Sequence, residues 1–314
     1  MIELLDRKLL FVTGKGGVGK TTIAASLALL AAQHGKRTLV GEIDAKGNLA
    51  DFYETGPTSF KEREVSPGLW AMSMDTEESL KEYLSLQLKV PFIARLGPLA
   101  RTFDFVANAA PGVKEILTIG KFLWEVRERS YDLVVVDAVA TGHITGQLAA
   151  PQAIQELVQV GMVRDQTGWM LDILGDPAQT GVVIVSAPEE MPVNETLELA
   201  ERLRTETVVD LAAVVANRVL PELFGRAEEE VFDRLTELPD EVFADAVGGP
   251  ARQLLAGAQL AVTLRRTRGV HLARLRSELP AGTPLLYVPY LFQRSHGARA
   301  TSQVAAHLGE ELGF

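Results

Sequence analysis

The chain predicts a doubly wound α/β fold with a mostly parallel sheet, and three observations carry that expectation. Short runs rich in Val, Ile and Leu recur along its 314 residues, several of them continuous instead of alternating, as strands covered on both faces require. Helical periodicities separate these runs. One run leads straight into a glycine-rich turn and an alanine-rich helix, and in such folds the ligand belongs at the carboxyl ends of the strands.

Leu9–Thr13 reads as the first buried strand, followed by Gly14-Lys15-Gly16-Gly17-Val18-Gly19-Lys20-Thr21-Thr22. That stretch fits the G-x-x-x-x-G-K-[ST] pattern in the right context, because Ile23 to Gln33 reads as an apolar helix. Glycines let successive backbone N–H groups turn toward one anion, and the helix N-terminus adds its positive dipole end. Lys20 is expected on the β/γ-phosphates of ATP and the Thr21 hydroxyl on Mg²⁺. The second lysine, Lys15, is not needed to hold phosphates within one subunit.

Further strands are expected at Arg37–Ile43, Leu69–Met74, Leu133–Asp137, Gly181–Ser186, Leu211–Asn217 and Leu285–Pro289, with helices such as Met191–Arg204 and Ala251–Leu275 between. Arg37–Ile43 delivers Asp44, a carboxylate placed either to orient an attacking water or to cap the next turn. Tyr131-Asp132-Leu133-Val134-Val135-Val136-Asp137 has the shape of a Walker B strand, with Asp137 holding Mg²⁺ through a water. Ala138 to His143 reads as a glycine-containing loop able to sense a γ-phosphate. His143 within it is either structural or a link to a partner subunit. Asn217 closes a strand with an amide that can pair with adenine, and Pro289 and Tyr290 close the last strand where they can frame the base.

Residues 75–130 read as an inserted helical subdomain broken at Pro91, Pro98 and Pro111, with 151–176 contributing. Its apolar residues, Phe92, Phe103 and Trp124 among them, either pack on the nucleotide domain or line a groove for a client. Pro221–Asp245 reads as an acidic, solvated helical surface. Otherwise residues 1–314 are expected to form a single P-loop ATPase domain.

Composition narrows the function classes. Apolar residues make up 47% of the chain, enough for a substantial core. A formal charge of −10 argues against a nucleic-acid partner. No run reaches the length of an integral membrane segment, and Met1–Asp6 lacks a signal pattern, so a soluble cytoplasmic protein is expected. The cysteine count is zero, which excludes a thiolate-ligated cluster, a CxxC zinc clasp and thiolate capture of arsenite.

Together these residues resemble the ArsA-like and tail-anchored-protein-targeting ATPases, a branch of the deviant-Walker P-loop NTPases that also hold MinD, ParA and nitrogenase iron protein. Gly14–Thr22 matches the group's loop. The first switch of the family reads D-P-A-H-N-L-x-D, and Asp44, Asn48, Leu49 and Asp51 keep their places. The second reads D-T-A-P-T-G-H-T, matched by Asp137, by Ala140 in the proline slot, and by Thr141, Gly142 and His143. The likeness runs from Leu9 to the helix around Ala298–Leu312.

That resemblance implies an Mg²⁺-dependent ATPase that closes as a dimer on ATP, a homodimer or a heterodimer with a homologous ATPase. Lys15 would cross the interface to the partner's nucleotide, Asp44 would activate water, Asp137 would serve Mg²⁺, and Asn217 with Pro289 would hold adenine. Departures accompany it: Ala45, Lys46 and Gly47 replace Pro, Ala and His, and should loosen the first switch. The helical region after the second switch is short for a targeting factor, whose groove must cover a membrane helix of about twenty residues. A client or membrane-associated partner therefore stays unnamed. The alternatives are a low-turnover, nucleotide-gated half of a heterodimer, or a MinD/ParA-like positioning ATPase; the latter fits poorly with an acidic C-terminal helix.

Overall fold

The computed structural model describes residues 3–43, 48–88, 112–157, 162–222, 224–239, 242, 251–292 and 297–314. Eight strands form one sheet: β1 (Leu9–Gly14), β2 (Thr38–Glu42), β3 (Arg63–Ser66), β4 (Leu69–Ser73), β5 (Leu133–Asp137), β6 (Thr180–Ser186), β7 (Leu211–Val219) and β8 (Leu285–Pro289). Their order is β3-β4-β2-β5-β1-β6-β7-β8, and every neighbouring pair is parallel except β3 with β4. β1, β2 and β6 are buried along their whole length, which is why their sequences run apolar without alternation. The expected strands stand within a residue or two of the observed ones. β3 is an addition: a four-residue antiparallel edge strand, half of it exposed and bulged between Glu64 and Ser66, which carries no apolar run to betray it.

Ten helices are described: α1 (Lys20–Gln33), α2 (Asn48–Tyr53), α3 (Thr76–Leu88), α4 (Val113–Arg127), α5 (Thr141–Leu157), α6 (Met162–Leu174), α7 (Glu190–Glu206), α8 (Arg226–Thr236), α9 (Ala251–Glu278) and α10 (Ala298–Leu312). Asp75 caps α3, its Oδ1 accepting from the N–H groups of Glu77 and Glu78 at 2.9 Å each. α1 and α10 cover one face of the sheet. Every residue of α1 from Ile23 to Ala31 is buried, wedged between the sheet and Val304, Ala305 and Leu308 of α10. The opposite face is closed by Ile119, Phe122 and Leu123 of α4, Ile144 and Leu148 of α5, Met170, Ile173 and Leu174 of α6, and Val193, Leu199 and Leu203 of α7.

Within the described part of the helical region, α4 to α6 lie against the sheet, and α3 meets α4 where Ser79 Oγ donates to Leu117 O at 2.9 Å. Trp124 packs edge-on to Trp169 at 6.3 Å, under the Arg127 guanidinium. Phe92 and Phe103 lie outside the described residues. Among the described residues no helix is long and apolar enough to cross a membrane.

The sheet ends differently on its two sides. Beyond β3 the edge is short and half-exposed. At β8 the Tyr287 N–H donates to Glu311 Oε2 of α10 at 2.9 Å, and Pro289 has no N–H to offer.

Candidate functional site

β1 lies between β5 and β6, with Val12 opposite Asp137 and Gly14 opposite Val185. From β1 the chain crosses to β2 on one side of the sheet and from the adjacent β6 to β7 on the other, so the crevice between their carboxyl ends is the switch point where an α/β fold takes its ligand. The loop Gly14–Gly19 fills that position. Its shape depends on glycine at three points, one of them Gly17 with φ +85°. A Cβ at Gly14 (φ +152°) would stand 2.2 Å from the Val185 carbonyl oxygen, and one at Gly19 (φ +99°) 2.4 Å from Asn217 Nδ2. At Gly16 and Gly17 the same construction meets nothing within 4 Å, so the backbone there opens onto free space. The first turn of α1 carries no acidic side chain, which leaves its N–H groups and dipole available to an anion.

Around this loop the described residues are joined by polar contacts. Thr21 Oγ1 donates to Asp137 Oδ2 at 2.6 Å, bringing the loop's hydroxyl and the Walker B carboxylate together. Lys20 Nζ lies 3.5 Å from the Lys15 carbonyl oxygen, folded back over the loop. Thr13 Oγ1 donates to Val139 O at 2.7 Å, tying the end of β1 to the segment after β5. The oxygen pair of Thr21 and Asp137 fits a hard divalent cation such as Mg²⁺, which takes one or two protein oxygens and keeps several waters.

Asn217 sits where β7 meets the loop. Its Nδ2 donates to Val18 O at 2.8 Å and its Oδ1 accepts from the Arg218 N–H at 2.9 Å. With only 6% of the residue exposed, the amide is a brace for the loop in this structure. Pro289 is opposite Val219 at the neighbouring strand end. Tyr290, held by its N–H donating to Val219 O at 2.8 Å, stands half-exposed with Phe292 edge-on to its ring at 4.9 Å. Asn217, Pro289 and Tyr290 thus share one rim of the crevice.

Two expectations need restating. Thr141, Gly142 and His143 are not a loop but the first turn of α5; the loop is only Ala138–Ala140, and the His143 N–H already donates to Ala140 O at 3.0 Å. The apolar positions Ile144 and Leu148 draw the helix start back toward the sheet. Asp44, Ala45, Lys46 and Gly47 lie outside the described residues. The strand that delivers Asp44 does reach the site: Glu42 is in register with Asp137, and the Ile43 N–H donates to Asp137 O at 3.1 Å.

Sequence reasoning missed two carboxylates. Glu42 is buried and accepts hydrogen bonds from Ser73 Oγ and, at 3.2 Å, from Thr58 Oγ1, anchoring the end of β2. Glu195, on α7, takes the Lys15 ammonium on Oε1 and the Thr141 hydroxyl on Oε2, the latter at 3.0 Å. The Lys15 hydrogen bond holds the Glu195 carboxyl below the usual carboxylate range, despite partial desolvation. Nothing in the local sequence distinguishes Glu195 from the other acidic residues of its helix.

A strand, a glycine loop, a Lys-Thr helix start and a facing Asp define a nucleotide-binding P-loop protein. Comparison with known proteins is narrower. The profile of the anion-transporting ATPase family matches residues 7–171 and again 156–237, and the chain belongs to that family. It is 31% identical over 264 residues to the ATPase BagA of Mycobacterium tuberculosis, covering 81% of this chain and 75% of that one. Identity to the ATPase GET3 of Chaetomium globosum is 31% over 209 residues, 64% of this chain and 59% of the relative. A Halobacterium salinarum protein provisionally named an arsenical pump-driving ATPase shares 29% over 242 residues, 72% of this chain but 37% of its own length.

Proposed function

We propose that this chain is an Mg²⁺-dependent ATPase whose nucleotide-driven closure, with a second copy or a homologous partner, is coupled to a client. The observation that carries the reading is the meeting of Thr21 and Asp137 at 2.6 Å beneath a loop open at Gly16 and Gly17. Backbone N–H groups of the loop and Lys20 would bind the phosphates, and the α1 dipole would favour their charge. Thr21 and Asp137 would hold Mg²⁺, which neutralises charge on the β- and γ-oxygens when bound. Asp44 would orient the attacking water, and Lys15 would reach the partner's nucleotide. Asn217, Pro289 and Tyr290 would line the adenine side.

The test is hydrolysis of ATP that depends on Mg²⁺ and falls about a hundredfold or more in Asp44→Asn. Turnover like the parent's in that variant removes Asp44 from its role. Absence of any Mg-ATP binding by the full chain rejects the whole reading.

A second reading, a nucleotide-gated module with low turnover of its own, is favoured by one observation. In the single chain Lys15 is already engaged by Glu195. Full activity of the chain alone would dispose of it. The arsenical role named for the halobacterial relative does not transfer through thiolates, because this chain has none.

A further inference from the structure

The geometry points to Glu195 as a latch that holds Lys15 away from phosphate until nucleotide draws it off, and that ties this release to the head of α5. This rests on the proposed ATPase reading and specifies its regulation. Glu195 is one carboxylate serving two elements. Oε1 holds the ammonium of Lys15 from the phosphate loop, and Oε2 accepts from Thr141, the first residue of α5. A lysine so engaged reaches an anion only by exchanging one negative partner for another, so the carboxylate competes directly with phosphate. When Lys15 leaves, Glu195 loses a charge-assisted partner and keeps only the neutral hydroxyl. The α5 head is then the element whose tether has changed.

The setting suits an exchangeable contact better than a structural one. The Lys15 and Glu195 side chains are 31% and 28% exposed, so solvent and an incoming phosphate reach both. A structural ion pair in this protein looks different: Lys121, 5% exposed, is enclosed by Glu62, Glu82 and Glu125 at 2.8 to 3.0 Å. α7 is meanwhile anchored elsewhere. Val193, Leu199 and Leu203 sit in the core, and Arg274 of α9 donates to Asn194 Oδ1 at 2.5 Å, beside Glu195 in the chain. The carboxylate is thus presented from a fixed helix, and the moving parts are Lys15 and Thr141.

Two measurements on the full chain test the latch. First, nucleotide-free protein is treated with an amine-acetylating succinimidyl ester, and the rate of Lys15 modification is read by mass spectrometry against the other lysines. Glu195→Gln keeps an acceptor for Thr141 and removes the charge, and should speed Lys15 modification by about two- to fivefold, the range of a partly exposed pair. Second, the Mg-ATP concentration giving half-saturation in an equilibrium binding measurement should fall by a similar factor in Glu195→Gln, and Glu195→Gln should add nothing in a Lys15→Ala background. A general structural effect of the substitution would persist without Lys15. An unchanged labelling rate overturns the latch, as does a rise in the half-saturation concentration or a gain that survives in Lys15→Ala. If the parent chain hydrolyses no ATP, the proposed function falls, while the labelling rate still decides whether Glu195 restrains Lys15.

Discussion

One face of the sheet is covered by α1, α2 and α10 and the other by α4 to α7, and the two coverings treat polar groups in opposite ways. On the first face the buried polar side chains Ser26, Tyr53 and Thr301 all donate to backbone acceptors. Ser26 Oγ donates to Thr301 O at 3.1 Å, and Tyr53 Oη to Ala25 O at 2.9 Å. The rest is interlocked Leu, Val, Ile and Ala, close-packed with no room to rearrange cheaply. On the second face charged groups sit within or beside the core: Lys121 among its carboxylates, Arg202 donating to Thr145 Oγ1 at 2.6 Å, and Glu195 bridging Lys15 and Thr141. Ionic contacts can be traded for other ionic contacts. The first face is therefore a fixed wall behind the phosphate loop, and the second is where a bound anion can change what touches what.

Substitutions can break or sharpen this contrast. Gly14→Ala should do the most damage, since the methyl group collides with the Val185 carbonyl and the backbone angle is strained for any L side chain. We expect a loss of about 3 kcal/mol or more in the denaturant-derived stability, with nucleotide binding abolished. Leu27→Ala, at a fully buried position of α1, should cost about 2–5 kcal/mol by the same measurement while leaving the loop's chemistry unchanged.

Lys121→Met comes next. Burial pulls the Lys121 ammonium down, yet Glu125 and Glu62 outweigh burial and hold it above the ordinary lysine range. Its contribution is therefore fully present at neutral pH and disappears only as pH rises through that elevated value in strong alkali. Removing the cation strands three carboxylates together, and about 1–3 kcal/mol should be lost, less than for a sealed pair because Glu62 and Glu82 reach water. A loss as large as that of Leu27→Ala would mean that the second face is as rigid as the first. Arg204→Ala, which breaks the exposed pair with Glu201, should leave the unfolding midpoint where it was.

Most of the scaffold is written in runs that need no tertiary context. β5 and β8 match their expected limits residue for residue, because continuous apolar runs bounded by polar or proline residues admit one reading. The nucleotide loop is equally legible, since the glycine positions answer to backbone angles. β3 was hidden because an exposed edge strand needs no apolar face. Thr141–His143 were misread because a glycine and a threonine look like loop, while the apolar positions that make them helical come one turn later. Glu195 and the bracing role of Asn217 depend on neighbours 180 and 199 residues away along the chain. Spacing within a segment carries no trace of such partners.

The treatment of β8 has a consequence for how copies of this chain can meet. Open rims of sheets invite strand-by-strand annexation by a neighbour, the route to filaments and swapped domains. Here one donor along that rim is already spent on Glu311 and another position has none to give, so a foreign strand finds little to zip onto. Self-assembly by lateral growth is discouraged on that side.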